Sequence, residues 1–267
     1  MKRISILLCA ALLALGTANE ASAWGRLGHK TIAEIAQRHL TPKAKAEIEK
    51  YTHGTPLAAY AIFMDSVVKK PIYVTEFRGW HASIADASCK SPAEVRNKYR
   101  KGRDGVTAME YWRKELANRD RLSDSTVLCG IKCIVHIIAD FHCPAHVRYA
   151  DNKNDGHIKV TFFGKKTTLH KVWDTALITH SHKGWTYKRY ADYLDSWSKG
   201  KVKRCTRGNE QAWFEDAARD VRPTLTWVNA GDTLDEKFEK RALPLAELQM
   251  RKAAYQLATA LNQIFGE

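Results

Sequence analysis

Acidic residues are scarce in this chain. Its 267 residues hold 29 Asp and Glu against 43 Lys and Arg, a formal net charge of +14. Such an excess attracts polyanions: nucleic acid, anionic lipid headgroups or phosphorylated metabolites. Long apolar runs are also missing. The one run of note, Ile4–Leu15, is too short to span a bilayer. It follows Lys2 and Arg3 and precedes Ala21-Ser22-Ala23, an A-x-A cleavage signature. Residues 1–23 therefore read as a secretory signal peptide, and the mature chain begins at Trp24, periplasmic or secreted. No exposed amphipathic stretch suited to a membrane surface is evident, so no stable membrane insertion is expected.

Cysteine is sparse too. Six are present, and Cys9 leaves with the signal. The remaining five are an odd number, so at least one thiol stays free. Cys129 and Cys133 lie four apart in an apolar stretch, share a helical face and read as buried thiols. Cys89 and Cys205, in polar surroundings, are the better candidate disulfide. No serine or cysteine nucleophile motif occurs. Strand-like alternation is confined to His157–Phe163, which with Gly164-Lys165 predicts a small hairpin. Repeats, low-complexity tracts and linkers are absent. Residues 24–267 are thus expected to form a single all-α domain, long enough to bury a sizeable core.

What is present is helical periodicity. Ile32, Ile35, Ala36 and Leu40 repeat at helical spacing. Thr41-Pro42 and Ser91-Pro92 look like N-cap plus first-turn proline pairs. Val127–Ile138 is apolar on nearly every face and predicts a helix through the centre of the protein. Further helices are predicted at 168–180, 187–198, 209–221 and 244–265.

The central helix ends in HIIADFHCPAH, residues 136–146. His136 and Asp140, four apart, project from one face roughly 6 Å apart along the axis. His146 follows Pro144. His170 and Asp174 in LHKVWD repeat the spacing, while His81 in GWH and Asp65 in FMD add ligand types beside aromatic residues. One such pair is ordinarily a hydrogen-bonded or solvated ion pair. Two pairs, one inside the most apolar helix, favour metal, because an unpaired buried charge is costly and coordination satisfies it. Met64 and Phe63 read as core.

With these residues in order, the chain resembles the zinc-dependent type I nucleases of the S1/P1 group, which share their fold with bacterial zinc-dependent phospholipase C. The resemblance runs through W-x-x-x-G-H at Trp24–His29, Asp65 after an apolar helix, W-H at Trp80-His81, H-x-x-x-D-x-H-x-P-x-H at His136–His146 and L-H-x-x-W-D at Leu169–Asp174. It implies a mainly helical single domain holding three Zn2+. One ion would take the Trp24 α-amine and carbonyl with His29 and a shared Asp140. A second would take Asp65, His81 and His136, and a third His146, His170 and Asp174. Asp65 and Asp140 would be catalytic.

The implied chemistry is hydrolysis of single-stranded RNA and DNA to 5′-phosphorylated products, with 3′-nucleotidase activity, by a monomer. A zinc-bridging hydroxide would attack phosphorus while zinc stabilises the leaving 3′-oxyanion. The cleft lining departs from the family pattern at Ala82, Val68, Ala139, Cys143 and Ala145. Lys69 (or Lys70) and Asn154 stand near the places where phosphate-binding groups are expected, and His142 is expected to be structural rather than a ligand. Two alternatives stay open. One is a phospholipase C, disfavoured because that branch carries glutamate where Asp174 stands. The other, kept alive by Ala82 and Val68, is a catalytically weak zinc protein that binds nucleic acid.

Overall fold

A computed structural model describes residues 24–67, 77–152 and 157–266. The chain opens with α1 (Gly25–Arg38) and α2 (Pro42–Thr52), followed by the short α3 (Leu57–Tyr60) and α4 (Phe63–Val67). Next come β1 (Ser83–Ala85), α5 (Ala93–Arg100), α6 (Gly105–Leu116), the central α7 (Asp124–Phe141) and β2 (Val147–Tyr149). Strands β3 (Lys159–Phe162) and β4 (Lys165–Thr168) form the expected hairpin. A helix then starts at Leu169–Lys171, widens into a π-turn over Val172–Ala176 and resumes as Leu177–Ser181, together α8. The chain ends with α9 (Tyr187–Leu194), α10 (Lys199–Cys205), α11 (Glu210–Val221), β5 (Thr233–Leu234) and α12 (Glu236–Phe265).

Helix α7 is the axis of the molecule. Ser123 caps it by accepting from the Thr126 N–H, and Ile131, Ile134, Val135, Ile137 and Ile138 are all buried. Burying each such side chain stabilises by about 1.5–3 kcal/mol, so α7 is held by what surrounds it. Helices α6, α12, α4 and α2 pack on it, and α1 lies against α12 and α9. Gly130 lets α6 come close: a Cβ there would sit 2.8 Å from the Trp112 ring. Among the described residues no helix is long and apolar enough to cross a membrane.

Several local expectations are corrected. Ser91 does not cap α5, where Pro92 holds that position. Its hydroxyl instead donates to the Ile84 carbonyl at 2.7 Å and its N–H to Glu215 at 3.0 Å, both buried. Helix α12 starts at Glu236 rather than 244 and runs through Pro244. Pro244 and Lys240 are not buried, so water can take the carbonyl that the missing N–H leaves free. The stretch 187–198 breaks after Leu194, and α10 begins behind the Ser198 cap. A parallel pairing, Ser83 with Val147 through Ala85 with Tyr149, was not foreseen, nor was β5 beside β3. The Cys89–Cys205 disulfide is absent, and all five described cysteines are free thiols. Cys89 sits beside Arg222 and Asp86, whereas Cys205 caps back onto the Val202 carbonyl next to Lys252.

Candidate metal centre

Five chain segments converge at the C-terminal end of α7. That helix brings His136 and Asp140 on one face, and the turn after it carries Cys143 and His146. Trp24 and His29 come from the start of α1, Asp65 from α4, and His170 and Asp174 from α8. His81 stands two residues before β1. The β1–β2 pairing fixes it beside His146, since the Ser83 N–H donates to the His146 carbonyl at 3.2 Å.

Asp140 is the hub. Its Oδ1 lies 3.4 Å from His29 Nε2, while Oδ2 lies 3.0 Å from His81 Nδ1, 3.3 Å from His136 Nε2 and 3.8 Å from His146 Nδ1. Asp65 Oδ1 stands 3.6 Å from His81 Nδ1 and 3.7 Å from His136 Nε2. Asp174 is divided likewise: Oδ1 faces His146 Nε2 at 3.3 Å and Oδ2 faces His170 Nε2 at 3.0 Å. Trp24 is fully buried, and its indole Nε1–H donates to the Ala139 carbonyl at 2.9 Å, one residue from the hub.

Backbone carbonyls aim the rings. His136 Nδ1–H donates to Ala61 at 2.8 Å and His146 Nδ1–H to His81 at 2.5 Å. Each leaves Nε2 directed into the cluster, the arrangement by which outer partners orient metal-binding histidines. His29 stacks on His136 with ring centroids 4.3 Å apart. His142 points elsewhere, its two ring nitrogens held by the Gln249 and Gln256 side-chain oxygens at 2.8 and 2.7 Å.

Charge and satisfaction point the same way. Burial opposes the charged form of Asp140, but His136, His146 and their hydrogen bonds hold its carboxyl well below the usual range. Burial likewise lowers the basicity of His136, yet Asp140 and Asp65 raise it to about 9. His146 is carried to about 9 against burial by Asp140 and Asp174. His29 is lowered by burial and by His136. The carboxylates thus draw positive charge into a buried place.

Thirteen buried side-chain polar atoms lack hydrogen-bond partners among the described residues, and seven belong to this cluster. They are both nitrogens of His29, His81 Nε2, Asp140 Oδ1, His146 Nε2, His170 Nδ1 and Asp174 Oδ2. Four of them still face an ion partner: His29 Nε2 with Asp140 Oδ1 at 3.4 Å, His146 Nε2 with Asp174 Oδ1 at 3.3 Å and Asp174 Oδ2 with His170 Nε2 at 3.0 Å. His29 Nδ1, His81 Nε2 and His170 Nδ1 stay unmet among the described residues, at about 1–3 kcal/mol each. A set of imidazole and carboxylate donors with that deficit fits divalent cations. The side chains of His29, His136, Asp140 and Asp174 are at most 2% exposed and form the floor. His81, His146, His170 and Asp65 are 10–14% exposed and form a rim open to solvent.

Three groups of ligand atoms lie within 4.8 Å of one another: His29, Asp65 and His136; His81, Asp140 and His146; and Cys143, His146 and Asp174. They interleave, so the centre is one continuous cluster rather than separate triads. Cys143 was missed as a possible ligand by sequence reasoning, which counted it only as cleft lining. The available signal was a sulfur ligand type three residues past Asp140 and three before His146. Lys69, Lys70, Val68 and Asn154 lie outside the described residues, as does the signal segment 1–23. Ala82 is buried and presents no aromatic surface.

Comparison with known proteins adds an independent finding. The family described as S1/P1 Nuclease matches residues 24–266. Nuclease S1 of Aspergillus oryzae is 29% identical over 270 residues, covering 90% of this chain and 91% of that protein. Endonuclease 2 of Arabidopsis thaliana is 24% identical, with 91% of each chain covered. Nuclease P1 of Penicillium citrinum is 25% identical over 91% of this chain and 98% of its own.

Proposed function

Because this chain belongs to the S1/P1 nuclease family, we propose that it is a secreted, monomeric, zinc-dependent phosphodiesterase. It hydrolyses single-stranded RNA and DNA to 5′-phosphorylated products and removes 3′-phosphates from nucleotides. The observation that carries this reading is Asp140: a buried carboxylate whose two oxygens face different histidines, in a cluster with seven buried polar atoms that make no hydrogen bond. That is the geometry of a bridging ligand.

Three Zn2+ would be held by the residues in hand. Trp24, through its freed α-amine and carbonyl, would join His29 and Asp140. Asp65, His81 and His136 would hold the second ion with Asp140, and His146, His170 and Asp174 the third. Trp24 is fully buried with its indole tied to the Ala139 carbonyl, one residue from Asp140, which supports a liberated amine at the cluster. When bound, zinc supplies Lewis acidity and brings the pKa of a coordinated water to about 7.

The protein's own part is positioning. The Ala61 and His81 carbonyls fix two imidazoles. Asp140 and Asp174 keep negative charge on the floor, and Asp65 at the rim, so that cations stay. The solvent-facing rim of His81, His146 and His170 admits a phosphodiester. The basic net charge draws a polyanion to the site.

The test is a substrate panel on processed protein starting at Trp24. Degradation of single-stranded DNA and RNA, abolished by a chelator and restored by zinc, is the expected result. Turnover of phosphatidylcholine with nucleic acid left intact would select the lipid enzyme. Salt-sensitive binding without products would select a binding protein.

A further inference from the structure

The cluster contains one group that the nine ligands do not use. Cys143 is fully buried at the turn after α7. Its Sγ–H donates to Asp174 Oδ1 at 3.3 Å. Two further atoms at this point are buried and make no hydrogen bond: His146 Nε2 and Asp174 Oδ2. Their side chains are 10% and 1% exposed. The thiol therefore sits within 4.8 Å of a ligand atom on each of His146 and Asp174.

We propose that the Cys143 thiolate is a ligand of the third ion, completing a four-residue set of one sulfur, two imidazoles and one carboxylate with His146, His170 and Asp174. The inference rests on the reading that this cluster holds metal. A tetrahedral ion with bonds of about 2.0 Å to nitrogen and oxygen and about 2.3 Å to sulfur keeps its ligand atoms roughly 3.3–3.5 Å apart. The structure has His146 Nε2 and Cys143 Sγ each 3.3 Å from Asp174 Oδ1. Cys143 Sγ and the ligand atoms of His146 and Asp174 all fall within 4.8 Å of one another.

Binding releases the thiol proton to solvent, as it must when a cysteine coordinates. Four protein ligands would leave this ion without the open position a catalytic zinc keeps, so it could meet a substrate oxygen only by expanding its coordination. A thiolate also favours zinc over harder cations such as magnesium and calcium at this position. The third ion would thereby be the most firmly held of the set.

Processed protein is depleted of metal, reconstituted with cobalt(II) and compared with Cys143→Ser and Cys143→Ala by absorption spectroscopy. Elemental analysis of each sample gives the cobalt content. The serine variant keeps a donor for Asp174, so the fold is retained. The expected result is a near-ultraviolet thiolate-to-cobalt charge-transfer band in the parent that both variants lose, with visible cobalt bands from the other ions retained. The four other cysteines are present in all three proteins, so the difference spectrum assigns Cys143. Cobalt uptake with no such band, or with a band that persists in the variants, overturns thiolate ligation and leaves the metal centre standing. Failure to take up cobalt removes the metal reading and this inference together.

Discussion

Replacing Gly28 with alanine tests whether the start of α1 is packed as tightly as its position before His29 requires. A Cβ at residue 28 would lie 2.7 Å from Trp24 Cβ and 2.8 Å from Ile178 Cδ1. The isoleucine methyl is the end of a flexible side chain and can turn aside. Trp24 cannot, because it is fully buried and its indole is tied to the Ala139 carbonyl at 2.9 Å. Reaching ordinary contact at 3.4 Å means moving the Trp24 backbone by about 0.7 Å. Overpacking of this kind costs up to about 3 kcal/mol, offset by about 1 kcal/mol of helix propensity. The net loss of about 2 kcal/mol corresponds to a fall in Tm of roughly 4–8 °C for a chain of this size.

The displacement also exceeds the roughly 0.5 Å within which a functional constellation must be held. Gly28→Ala should therefore lose the ion nearest Trp24 and at least tenfold in activity. Gly200→Ala is the control. Nothing lies within 4 Å of its Cβ position on α10, so it should gain up to about 1 kcal/mol from propensity alone. Melting of the metal-free proteins and elemental analysis of the zinc-loaded ones read both effects. A Gly28→Ala protein that melts with the parent and carries full metal would refute the packing argument and the role given to Trp24.

Three more outcomes are expected. A residue added before Trp24 should remove one zinc of three and most nuclease activity, while equal metal content by elemental analysis would exclude the terminal amine as a ligand. If Asp140 bridges two ions as proposed, Asp140→Asn should release both and lower activity at least 100-fold, with metal content measured beside kcat/KM. In the metal-free protein, His136 and His146 are raised from 6.5 to about 9. The stability they contribute is complete below pH 6.5 and fades as pH rises through 9, by up to roughly 3 kcal/mol per histidine. Urea unfolding across that window should show the decline, and zinc should reverse its sign because metal competes with those protons.

The sequence carried the centre further than the scaffold. His136 and Asp140 were legible because a four-residue spacing inside an apolar helix has one geometric meaning, and His170 and Asp174 repeat it. The pairing of His81 with His146 was not legible. It depends on two three-residue strands 64 positions apart in register, too short for any alternation to mark. The helix expected from 244 begins at Glu236 instead, and the solvent-facing place of Pro244 let α12 run straight through it. Ser91 read as a cap by its neighbour, while its hydroxyl serves a buried carbonyl that only the folded chain brings near. Cys143 passed as lining because a single sulfur has no period; its meaning comes from Asp174, on another helix.

The widened turn over Val172–Ala176 constrains how this gene can change. A codon lost between positions 170 and 174 would let the turn tighten into ordinary helix and shift the spacing that now sets Asp174 Oδ2 3.0 Å from His170 Nε2, with every ligand still encoded. The hairpin tip at Gly164 meets nothing within 4 Å of its Cβ position and imposes no such rule. Natural length differences among descendants of this sequence should therefore gather at the tip and spare the five-residue turn.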